Sequence, residues 1–224
     1  MTGITHATAL WYASRATGVV TLVLLTAVVV LGMMVNRQGR LPGLPRFAVT
    51  GLHRNISLLS VAFLVIHVVT AIADPYVTIG LAATVIPFAS PYKPLWLGLG
   101  ALSLDLIAAL ILTSLARGRM GRRAWRGIHW LAYAAWPLAV LHSLGSSTDM
   151  HSGVMLAVLT GCVLAVCAAL AWRLSRAARE IPRARRAATA LTQMSSPMPR
   201  RPATPAFANE PANRLMTAQK AARR

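Results

Sequence analysis

Five stretches of the chain run without charge, or nearly so, over the length a helix needs to cross a membrane: residues 16–35, 55–73, 95–116, 127–148 and 152–172. Each holds roughly 20 residues, and at about 1.5 Å per residue that spans some 30 Å of hydrocarbon. Asp105, in the third stretch, is the one charge inside them. Backbone polar groups in lipid must be satisfied within the segment, so apolar runs of this length read as helices. The pattern predicts an all-α protein, a polytopic membrane bundle of five transmembrane helices.

The segments between the runs are breakers. Residues 36–50 contain Leu41-Pro42-Gly43-Leu44-Pro45, which cannot continue a helix. The longest connection, residues 74–94, ends in the Pro-rich run Pro87-Phe88-Ala89-Ser90-Pro91-Tyr92-Lys93-Pro94, and its apolar part, 79–86, reads as a cover lying at the membrane interface. Beyond Trp172 the apolar periodicity fades, and residues 182–224 mix Pro, Ala, Ser, Thr and Arg without a segment able to form a core. The expected division is a membrane domain over 1–174 and a basic, disordered cytoplasmic tail over 175–224. The first run is too long for a signal-peptide core and reads as a retained span.

A hydrophobic content of 56% with 12% charged residues lies outside the range of soluble domains. The net charge of +18 would suggest nucleic acid for a soluble protein, but here it follows topology, so no nucleic-acid partner is expected. Arg37, Arg40, Arg46 and Arg54 surround the first connection, Arg117, Arg119, Arg122, Arg123 and Arg126 fill the third, and Arg173, Arg176 and Arg179 follow the last run. The second carries Asp74 and Lys93, and the fourth only Asp149. The positive-inside rule then places the N-terminus outside and the C-terminus in the cytoplasm of a cell-membrane protein, with anionic lipid headgroups as partners for the basic tail. Cys162 and Cys167 both fall in the fifth run, where small apolar packing residues are expected and no disulfide framework arises.

Ionisable residues inside membrane spans mark function, and two spans hold four histidines: His53 and His67 at the ends of the second, His129 and His142 at the ends of the fourth. The 14-residue step in span two brings His67 back to within about 40° of His53, about 21 Å along the axis. Spans two and four run parallel, so His53 faces His129 at one level and His67 faces His142 at the other. Each pair can clamp one planar macrocycle between two imidazoles, and six-coordinate iron without an open position favours electron transfer over chemistry at the metal. Zinc is disfavoured because it prefers four ligands. The 13-residue step in span four leaves His142 about 140° from His129 on an ideal helix, so a distortion is required, and Pro137 is the expected place for it. His151, at the start of the fifth run, reads as interfacial.

Leu52-His53-Arg54, His67 after 13 intervening residues, Arg126-Gly127-Ile128-His129-Trp130 and Leu141-His142-Ser143 together resemble the ferric reductase-like transmembrane domain family over roughly residues 12–172. That family is similar to the haem core of NADPH oxidases and to the haem subunit of periplasmic methionine sulfoxide reductase systems. The resemblance implies two stacked b-type haems, with His53 and His129 ligating the iron on the cytoplasmic side and His67 and His142 that on the outer side. Arg54 and Arg126 are candidate partners for the inner haem propionates, and Arg15 for the outer ones, with Gly18 one turn deeper permitting close approach. Asp105 is a candidate for pairing with hydroxyls or a buried water, and Phe63 and Trp136 lie between the two levels as packing residues.

Unlike in the oxidases and full ferric reductases, the residues after Trp172 show no pattern of flavin and nicotinamide domains, so a separate donor is expected. The expected reading is a haem subunit of an oxidoreductase that moves electrons from a cytoplasmic flavoprotein or reduced flavin to an extracytoplasmic acceptor. Quinol oxidation by a cytochrome b-like subunit, and a haem-binding structural subunit without turnover, are the alternatives.

Overall fold

The computed structural model describes residues 2–36, 45–75, 77, 79–146 and 153–195. Residues 1–176 form one compact unit and residues 177–224 a second. The described elements are all helical: α1 (Thr2–Asn36), α2 (Arg46–Ala73), α3 (Leu81–Val85), α4 (Pro94–Leu115) followed by a 3₁₀ turn (Ala116–Gly118), α5 (Arg122–His129), α6 (Ala132–Ser146) and α7 (Gly153–Ser195). Among the described residues four segments are long and apolar enough to cross a membrane: Thr8–Met34, Phe47–Ala73, Pro94–Gly118 and Gly153–Arg176. They correspond to the first, second, third and fifth expected spans.

The fourth expected span comes in two pieces. α5 ends at His129, the chain tightens through Trp130 and Leu131, and α6 follows at once. The bonds Trp130 N–H to Gly127 O (3.2 Å), Leu131 N–H to Ile128 O (2.9 Å) and Tyr133 N–H to Trp130 O (3.0 Å) are of the i→i−3 kind. The distortion expected at Pro137 therefore lies one turn or more before it, directly after His129, while Pro137 itself stays inside α6. A 3₁₀ turn advances about 120° per residue against about 100° for an α-helix. That extra winding rotates α6 in the direction that brings His142 round towards the face of His129.

Prolines set the other ends. Pro45 precedes α2 with its carbonyl accepting from Ala48 N–H (3.0 Å). Pro75 holds Asp74 extended and stops α2, while Pro94 opens α4 at a position where its missing N–H costs nothing. Within the spans Thr17, Thr21, Thr26, Ser57, Thr70 and Thr113 satisfy their hydroxyls on carbonyls one turn back, so they add little polarity to the lipid or the core. Val65, Ile66 and Val69 of α2 are exposed, as a lipid-facing stripe should be.

α1 packs along α2, and α4 packs along α6. Both pairs are antiparallel in register. Gly18 lies against His67 and Gly32 against His53, while on the other pair Gly100 lies against His142 and Gly145 against Trp96. Ser103 Oγ donates to Ala135 O (2.9 Å), and Lys93 Nζ donates to Gly145 O (3.1 Å), so a cation meets the carbonyl end of α6. Lys93 adopts a left-handed φ of 42° there. Trp136 Nε1 donates to Thr26 Oγ1 (3.0 Å) and links the two pairs midway. Beside it Leu22, Leu159 and Cys162 form a buried cluster from α1 and α7, which gives Cys162 the packing role expected of it; Cys167 is exposed.

Two sequence expectations are modified. The connection 74–94 contains a short helix, α3, whose exposed Leu81 and Val85 keep the apolar outer face read from the sequence. α7 continues to Ser195, through residues in which no core-forming pattern is present, because Ala- and Arg-rich sequence favours helix without needing a core. Residues 196–224, His151, Asp149, Arg37 and Arg40 lie outside the described residues.

Candidate functional site

His67 and His142 meet. Their ring centroids are 6.5 Å apart with planes at 73°. His67 arrives from α2, where the ring crosses to α1 and Nδ1 lies 2.8 Å from Ser14 O. His142 arrives from α6, and its Nδ1 lies 2.8 Å from Trp96 O on α4. A carbonyl oxygen only accepts, so Nδ1 carries the proton in both rings and Nε2 keeps its lone pair. That is the state in which imidazole binds a metal, with the opposite N–H held by an acceptor.

The two rings line one cavity of ≈ 1120 Å³ with walls from α1, α2, α3, α4, α6 and α7, and its lining also includes Arg15, Gly18, Gly100, Ser103 and Ser143. Binding sites for drug-sized ligands run to about 1,000 Å³, so a large planar group can be admitted. A metal between two imidazoles adds two metal–nitrogen bonds of about 2 Å each to the ring radii. The observed separation has room for one such ion. These residues fit the iron macrocycle that the sequence leads one to expect. Among the described residues no group of three or more His, Cys, Asp or Glu converges.

His53 and His129 are the second pair named from the sequence. Nδ1 of each is buried with no hydrogen bond of ordinary geometry. The Val28 carbonyl of α1 faces the His53 ring without completing a bond. His129 is held differently, with Trp125, one turn earlier on α5, stacked on it at 4.9 Å and 23°. The Arg117 guanidinium sits 4.6 Å from the centre of the Trp125 ring. Arg117 and Trp125 also line a smaller cavity of ≈ 390 Å³.

Of the arginines named from the sequence, Arg15 reaches the cavity of His67 and His142, its guanidinium 4.1 Å over the Trp11 ring. Arg54 and Arg126 are exposed and do not line that cavity. Asp105 is half-buried on α4, also away from its wall. Trp136 has a defined role as a hydrogen-bonded bridge to α1. Sequence reasoning missed Trp125, although its place four residues before His129 on a helix was a readable signal. It also missed the carbonyls of Ser14 and Trp96, for which side-chain identity gives no signal.

Taken together, the fold defines a membrane-embedded helical protein in which His67 and His142 face one cavity. The chain belongs to the ferric reductase-like family: residues 17–140, more than half of it, match the family described as ferric reductase like transmembrane component. The match covers His53, His67 and His129 and stops two residues short of His142. Comparison with curated proteins and with solved structures gave no match. Membership in the family makes the chain a membrane component of transmembrane electron transfer.

Proposed function

We propose that the protein carries electrons across the membrane through two bis-histidine b-type haems, from a reduced flavin or flavoprotein on the cytoplasmic side to an acceptor outside. The observation that carries this reading is the His67–His142 pair, two imidazoles 6.5 Å apart, each with Nδ1 on a backbone carbonyl, facing one large cavity. Haem, when bound, supplies a one-electron carrier at each level.

The protein's own groups do the rest. His67 and His142 would hold one iron and His53 and His129 the other, and with both imidazoles bound no position would be left for substrate. Arg15, at the cavity wall, supplies a cation for a propionate. Direction follows from charge. The exposed Arg117, Arg119, Arg122, Arg123 and Arg126 surround the His129 end and face the cytoplasm by the positive-inside rule, leaving the His67–His142 pair towards the outside. A basic rim of this kind favours an acidic donor.

The test is the haem content and spectrum of the purified protein. Two low-spin b-type haems per chain are expected, and a haem-free protein that remains folded overturns the reading.

A further inference from the structure

Three of the four histidines face the same backbone device. Ser14 and Gly18 on α1 meet His67, Trp96 and Gly100 on α4 meet His142, and Val28 and Gly32 on α1 meet His53. In each case an acceptor carbonyl at position i is followed by glycine at i+4. A helical side chain leans back over the preceding turn, so a residue at i+4 ordinarily covers the carbonyl at i. Glycine leaves that carbonyl open to a lateral donor. A Cβ added at Gly100 would come within 2.6 Å of His142 Nδ1, one at Gly18 within 2.9 Å of His67 Cε1, and one at Gly32 within 3.4 Å of His53 Cε1.

The clearances track the bonds. The two tight positions are those with a completed 2.8 Å hydrogen bond, and the looser one is at the ring whose Nδ1 has none. The His129 ring is flanked instead by Trp125. Gly18 and Gly32 are also 14 residues apart, matching the step from His53 to His67 on the antiparallel helix.

We propose that Gly18 and Gly100, with Gly32 in a lesser role, are positioning residues that uncover helix carbonyls to fix the tautomer and angle of the ligand histidines. The proposal rests on the haem reading above and deepens it. A donated Nδ1–H makes the imidazole a stronger donor at Nε2 and stabilises the oxidised metal. The Ser14 carbonyl is shared, since Thr17 Oγ1 also donates to it at 3.1 Å. Removing that hydroxyl leaves the acceptor to His67 and the helix's own Gly18 N–H.

The experiment compares haem content, low-spin electron paramagnetic resonance g values and midpoint potentials in wild type, Gly18→Ala, Gly100→Ala, Gly32→Ala, Thr17→Val and the control Gly161→Ala, whose added Cβ meets nothing within 4 Å. Alanine is the better helix former, so loss of haem cannot be laid to a weakened helix. Gly18→Ala and Gly100→Ala are expected to lose or shift the haem that His67→Ala removes. Gly32→Ala should shift the other haem only slightly, and Gly161→Ala neither. Thr17→Val should keep both haems and lower the potential of the one held by His67. Wild-type g values and potentials in Gly18→Ala, Gly100→Ala and Thr17→Val alike overturn the proposal. Should wild type carry a single haem, the two-haem reading falls, and the inference stands or falls on whether that haem responds to Gly18→Ala and Gly100→Ala. A wild type without haem sinks both.

Discussion

A histidine in hydrocarbon is costly unless its ring nitrogens are engaged, and the four histidines of this chain are engaged unequally. His67 and His142 have carbonyl partners, whereas Nδ1 of His53 and of His129 is buried without one. Paired ligation makes a simple expectation. His67→Ala and His142→Ala should each remove the same haem, His53→Ala and His129→Ala the other, as read in difference spectra and haem per chain. Loss of one and the same haem in His67→Ala and His53→Ala would break the pairing. Trp125 carries a second expectation, because stacking contributes about 0.5–1.5 kcal/mol beyond burial. Trp125→Ala should speed haem release from the His129 site several-fold, with Trp125→Phe close to wild type. Equal release rates in all three would leave the stack without a role in holding His129.

Between elements, a few polar bonds set the register that brings the histidines together. Ser103 to Ala135 locks α4 on α6, and Trp136 to Thr26 locks α6 on α1. A net contribution of about 1 kcal/mol each is typical of such bonds. Ser103→Ala and Trp136→Phe should therefore each lower the thermal midpoint in detergent by a few degrees, and an unchanged midpoint in both would show that apolar packing alone sets the register. Spans of this kind were legible in the sequence, since lipid imposes length and apolarity, and so was the approach of His67 to His142. The break after His129 was not. Trp130-Leu131 contains no breaker, while Pro137 draws attention to a turn that stays helical. Carbonyl partners were hidden for a related reason: every residue has one, and only the glycine four positions on hints at which are open. Arg54 and Arg126 were named for adjacency in sequence, but both side chains are exposed.

At the scale of the whole molecule, charge is segregated to the ends of the spans. Reporter fusions after Arg119 should behave as cytoplasmic and fusions near Asp149 as exported, and the reverse pattern would invert the proposed direction of transfer. Reduction by an acidic flavoprotein should slow as ionic strength rises, because the exposed arginines of the His129 end are screened over about 10 Å at 0.1 M salt. An increase with salt would argue against docking on that rim. The most direct measurement uses proteoliposomes in which the arginine-rich side faces a reduced-flavin donor and an oxidised acceptor is trapped inside. The account expects the trapped acceptor to be reduced by wild type and to stay oxidised with His67→Ala or His142→Ala. Equal reduction of the trapped acceptor by wild type and by both variants would contradict it.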